Sequence, residues 1–79
     1  MKNYHIHIGE LILQKLKKEK RSVAWLAGEV FIDPSNLRKV LKKKSMDTSL
    51  LQRISKALQY NFFYHYTDIV FEDETGNMR

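Results

Sequence analysis

Apolar residues recur along this chain at helical spacing, and capping residues interrupt them every ten residues or so. Ile8, Leu11, Ile12 and Leu16 share one face of a helix and charged residues fill the other, which predicts a first helix over residues 8–20. Ser22 is suited to cap a second, shorter helix over 23–30, where Val23, Leu26, Ala27 and Val30 follow the i, i+3, i+4, i+7 pattern. Ala27 is small enough to let another helix approach. Phe31 and Ile32 link this helix to the next. Asp33-Pro34 is the clearest local signal: aspartate accepts from the free amides of a helix start, and proline at the first position has no amide to lose. A third helix is therefore predicted over 34–43, with Leu37, Val40 and Leu41 inward and Ser35, Asn36, Arg38, Lys39 and Lys42 outward. Asp47 caps a fourth over 48–59, with Leu51, Ile54 and Leu58 inward and Leu50 and Ala57 flanking. Asn61 caps a short fifth through Phe62, Phe63 and Tyr66. Residues 67–71 are rich in β-branched and aromatic side chains and suit a short strand as well as a helix, while 72–79 are polar and expected to fray.

Five short helices with brief connections predict an all-α fold, a compact five-helix bundle. The expected division is an N-terminal arm over 1–7, the domain proper over 8–67 and an acidic tail over 68–79. Composition narrows the function classes. Seventy-nine residues leave little room for a deep substrate cavity. An apolar share of 43% is too high for a disordered basic tail. With no cysteine there is no disulfide framework, thiolate metal site or thiol nucleophile. No uncharged apolar run approaches the roughly 18 residues of a transmembrane helix, and Met1-Lys2-Asn3-Tyr4 does not open like a signal peptide. A soluble, cytoplasmic protein without membrane contact is expected.

The net charge of +5 is unevenly spread. Residues 1–60 carry 13 basic and 5 acidic side chains, net +8, whereas 61–79 carry 1 and 4, net −3. Two basic clusters stand out, Lys15, Lys17, Lys18, Lys20 and Arg21, then Arg38, Lys39, Lys42, Lys43 and Lys44. Either cluster can be a solvated helix face; together they suit a polyanion, most commonly nucleic acid.

The second and third predicted helices, joined by a short turn, have the arrangement of a helix-turn-helix. A helix that enters a groove about 12 Å wide needs hydrogen-bonding side chains at its N-terminal end and cations behind them. Ser35 and Asn36 occupy the first turn, Arg38 and Lys39 the next, and Lys42, Lys43 and Lys44 trail behind. Several further features fall in a familiar order: Ile8-Gly9-Glu10, Ser22 followed by Leu26-Ala27, Asp33 at the cap, Leu37, and Leu51, Ile54 and Ala57-Leu58. On these residues the stretch 8–63, 56 of 79 residues, resembles the Cro/C1-type helix-turn-helix domain (XRE family, lambda repressor-like) of bacterial and phage repressors. Ser22 through Ala27, Asp47-Thr48 and Asn61-Phe62-Phe63 are similar to a short bacterial subgroup that is little more than this domain.

The resemblance implies a five-helix fold, no cofactor and sequence-specific binding of double-stranded DNA by a homodimer on a palindromic site. A transcriptional regulator of repressor type, bound to the bacterial nucleoid when engaged, is the corresponding expectation. Base contacts would fall on Ser35, Asn36, Arg38 and Lys39 and backbone contacts on Ser22 and its amide neighbours. Lys42 and Lys43 would add phosphate affinity more than sequence preference. Arg38 has the reach for either a guanine or a phosphate, and Asn36 for an adenine or a local bond. Three positions depart from the family pattern. Val23 stands where glutamine often holds a phosphate and braces the recognition helix. Phe31 occupies the turn position usually given to glycine, where φ > 0 would strain a bulky residue, so the geometry of that turn is open. Pro34 replaces a polar residue that often reaches DNA, so the first contact is either lost or apolar.

Six of the nine aromatic residues lie between Tyr60 and Phe71, more than so small a domain buries. Phe62 is expected inward, with some of Phe63, Tyr64 and Tyr66 at a homodimer interface. Trp25 lies off the core stripe and suits either cover for the bundle or a surface contact. His5 and His7 alternate with Ile6 and Ile8, a spacing that allows a metal pair but offers no third ligand, so no metal site is expected. No catalytic set, phosphate loop or small-molecule site is evident, and an enzyme is not expected. The main rival is a helix-turn-helix interaction module, antitoxin-like or an adaptor, that binds a protein through its aromatic end. A basic membrane-surface protein fits the internal caps and several core stripes less well.

Overall fold

The computed structural model describes residues 6–66. They form an all-α bundle with α1 at Ile8–Lys18, α2 at Val23–Val30, α3 at Pro34–Leu41 and α4 at Thr48–Leu58. A fifth helical segment occupies residues 64–66, at the limit of the described residues. The predicted N-terminal arm is described only at Ile6 and His7; His5, the 67–71 segment and the acidic tail lie outside.

Each helix start carries a side-chain acceptor. Ser22 Oγ accepts from the Trp25 amide at 2.9 Å, Asp33 from the amides of Ser35 and Asn36, and Asp47 from that of Leu50. Asn61 Oδ1 accepts from the Phe63 amide at 3.0 Å and starts the fifth segment. The cap of α1 is His7, whose Nδ1 accepts from the Glu10 amide at 3.2 Å.

Three helices end in left-handed residues, and none of these is glycine: Lys20 (φ 59°), Phe31 (φ 59°) and Gln59 (φ 51°). Each closes the same pair of bonds. After α1, Arg21 and Lys20 donate to the carbonyls of Leu16 and Lys17; after α2, Ile32 and Phe31 donate to Ala27 and Gly28; after α4, Tyr60 and Gln59 donate to Ser55 and Lys56. These are Schellman closures, which satisfy carbonyls the helix leaves open. The sequence pattern carried α1 to residue 20 and α4 to residue 59; the left-handed residues stop them at Lys18 and Leu58.

α3 ends differently, at Leu41 and not at Lys43. Here the start of α1 supplies the closing donors. His7 Nε2 donates to the Lys42 carbonyl at 3.0 Å, and the Ile8 amide donates to the Lys44 carbonyl at 3.1 Å. The carbonyls of Lys42 and Lys44 turn toward α1, so the helix does not continue. The positive end of one helix dipole meets the negative end of another, a favourable head-to-tail joint. Gly9 makes it possible: a side chain there would overlap the backbone of Leu41.

The core draws on every element: Ile8, Ile12 and Leu16; Leu26, Ala27 and Val30; Leu37 and Leu41; Leu50, Leu51, Ile54 and Leu58; and Phe62. Ala27 is fully buried, in keeping with its size, as α2 packs on both α3 and α4. Leu50, expected at the flank, is buried as well.

Candidate functional site

α3 presents a polar outer surface because its inward positions are filled. Leu37 and Leu41 are buried, while Ser35, Asn36, Arg38 and Lys39 are exposed. With 3.6 residues per turn, Ser35 and Lys39 lie above one another in the middle of that face, with Arg38 and Asn36 toward its two edges. These four predicted residues are therefore brought together on one surface. Lys42 and Lys43 are also exposed, but beyond the helix, in the turn that α1 closes. The expectation that the third helix runs to residue 43 and carries both is corrected: it ends at Leu41, where His7 and Ile8 bond the carbonyls of Lys42 and Lys44.

The start of this face is set by Asp33. Its carboxylate accepts from the Ser35 hydroxyl and from the Ser35 and Asn36 amides at 3.0 and 3.4 Å. The Ser35 hydroxyl bond above all, then the Asn36 amide, holds the Asp33 pKa below the ordinary aspartate value; the Arg38 charge adds to this. One consequence bears on Ser35. Its proton is committed to the cap, so while that bond holds its hydroxyl faces outward as an acceptor.

Ser22 sits at the far end of α2, about 12 Å along an eight-residue helix from the turn. Beside it the Arg21 guanidinium lies over the Trp25 ring at 4.1 Å, and Trp25 is half-buried against the core. The α2 start thus combines a cation, a hydroxyl and the open amides of a helix N-terminus. The turn between α2 and α3 is held from behind, where Arg53 of α4 donates to the Val30 carbonyl at 2.9 Å. Phe31, in that turn, is 89% exposed.

The aromatic C-terminal segment divides. Phe62 is buried and stacks edge-on with Tyr60, whose hydroxyl bonds His65 Nε2 at 2.7 Å. Phe63 and Tyr64 are exposed, at 37% and 63%, whereas Tyr66 packs partly against the core and burial raises its phenol pKa. Of the three predicted interface residues, Tyr64 is the most open and Tyr66 is half-buried. Phe63 borders a shallow groove with Gln52, Ser55, Lys56 and Gln59.

Sequence reasoning missed the roles of His7 and Arg53 and the pairing of Arg21 with Trp25. The alternation of His5 and His7 with Ile6 and Ile8 suits an arm packing on the bundle as well as a metal pair, but neither reading gives His7 its bonds: both its ring nitrogens serve the α1–α3 joint. Its spacing to Glu10 is that of a cap, a signal present in the sequence but rarely read for histidine. Arg53 gave no local signal, because its acceptor lies 23 residues away. For Arg21 and Trp25 a signal was present, their i, i+4 spacing across the Ser22 cap.

Comparison of the chain with family models, with curated proteins and with solved structures gives no match. Among the described residues, no helix is long and apolar enough to cross a membrane.

Proposed function

We propose that this chain is a small cytoplasmic regulator that binds double-stranded DNA through a helix-turn-helix formed by α2, the Phe31-Ile32 turn and α3. The observation that carries the reading is the exposed set Ser35, Asn36, Arg38 and Lys39 on a helix whose opposite side is buried. In this reading the N-terminal half of α3 enters the major groove. Arg38 donates to guanine or phosphate, and Asn36 and Ser35 meet base edges. Lys42 and Lys43 lie on the flanking phosphates, and Arg21 with Ser22 holds the backbone at the start of α2. Binding, not catalysis, is the proposed activity, and its likeness is to Cro/C1-type regulators.

Two copies would place two recognition helices about 34 Å apart on one face of the duplex. Phe63 and Tyr64, exposed on the C-terminal segment, are the proposed interface, with Tyr66 behind them. The same exposed pair favours a second reading, in which this end docks a different protein and the basic face is only solvated.

Selection of bound duplexes from a random pool tests the proposal. The expected product is a palindrome, bound with an affinity that falls steeply with salt. Arg38→Ala should weaken binding about ten- to a hundredfold and relax preference at one base position. Absence of any enriched duplex would reject the DNA reading and leave the docking one.

A further inference from the structure

Phe31 is held against its own conformational preference. Left-handed backbone brings Cβ close to the following carbonyl, and a bulky side chain there is an outlier. Glycine or asparagine would close α2 without that cost. The two other left-handed caps, Lys20 and Gln59, carry polar side chains that water solvates. Phe31 differs: its ring is apolar and 89% exposed, so the free protein gains little burial in return for the strain. Its position is fixed, since Arg53 anchors Val30 on one side and the Asp33 cap starts α3 on the other. Strain kept at a rigid, exposed position points outward, to something that meets the ring on binding.

We infer that Phe31 is a DNA-contacting residue, making an apolar contact with the edge of the groove that α3 enters. The inference rests on the DNA-binding reading above. Phe31 stands two residues before the cap of α3, no more than about 7 Å away along the chain. When the start of α3 lies in the groove, a phenylalanine so placed reaches the groove wall. The apolar surfaces there are the deoxyribose carbons and the thymine methyl, and both suit an aromatic ring. This contact supplies shape and apolar area beside a face whose other members, Ser35, Asn36, Arg38 and Lys39, are all polar.

The test uses the full chain and the best duplex recovered from the random pool. Phe31→Gly and Phe31→Asn should both raise Tm, the glycine variant by about 4–8 °C, because strain is relieved. Both should weaken duplex binding about tenfold, and Phe31→Tyr should keep wild-type affinity. Replacing thymines at the site edge by uracil identifies the source: a loss confined to the wild type and Phe31→Tyr assigns the methyl, and no loss assigns the sugar. Stabilised variants that bind as tightly as wild type would overturn the assignment of Phe31 and leave the DNA reading intact. So would variants that lose only self-association in sedimentation. A wild-type chain that enriches no duplex would overturn both.

Discussion

The two ends of α3 are held by opposite means. At its C-terminal end, backbone meets backbone: Gly9 lies against Leu41, and His7 and Ile8 donate to the carbonyls of Lys42 and Lys44. At its N-terminal end the helix is closed by its own neighbour, Asp33, and the next exposed residues point away from the bundle. The joint at one end fixes where the helix lies. The self-contained cap at the other leaves the outward side chains Ser35, Asn36, Arg38 and Lys39 exposed, while Leu37 on the opposite side packs into the core. Under the proposed DNA-binding reading this division matters, because a tertiary partner at the leading end of α3 would occupy the surface offered to the groove.

The contrast can be broken most severely at Gly9. Gly9→Ala puts a methyl group into the Leu41 backbone, which no rotamer change can relieve. Denaturant unfolding should show a loss of about 3 kcal/mol. A near-neutral result would mean that the joint yields, and that α3 is not held rigidly.

His7 is expected to matter less. His7→Ala removes both the cap of α1 and the bond to Lys42, and should cost about 1–2 kcal/mol. His7→Asn keeps a capping acceptor but is too short to serve both ends, so it should recover only part of the loss. If asparagine restored full stability, the bond across to α3 would contribute nothing and the two ends would be more alike than the structure indicates.

The smallest effect belongs to the N-terminal cap and is read through pH. The folded pKa of Asp33 is depressed, so its stabilising contribution is fully present above the ordinary aspartate range. It is lost as pH falls through the lower folded value. Asp33→Asn retains an acceptor without the charge. The stability difference between wild type and this variant should therefore shrink on acidification below about pH 4. A difference independent of pH across that range would show that the charge of Asp33 is not what closes the helix.

Much of this arrangement was legible from sequence. The stripes of α1 to α4 placed nearly all the core, and Ser22, Asp33, Asp47 and Asn61 proved to be caps. These features rest on local periodicity and on hydrogen bonds spanning two or three residues. At Phe31 the resemblance pointed to a turn position usually given to glycine and left the geometry open; φ 59° shows that the turn is left-handed despite the side chain. The exposed set on α3 followed from the same periodicity. Its end did not: the sequence continues with helix-forming lysines past Leu41, and nothing local stops them.

By itself the sequence determined the number and order of the helices, their starts and which side of each is apolar, because propensity, capping and period act over a few residues. Where α3 stops, the close approach of Gly9 to the Leu41 backbone and the ties that His7 and Arg53 make between elements follow from tertiary packing alone. Those outcomes depend on carbonyls and donors 23 and 35 residues apart in the chain meeting in space. No local pattern encodes such a meeting; it is set when the packed core brings one helix end onto another.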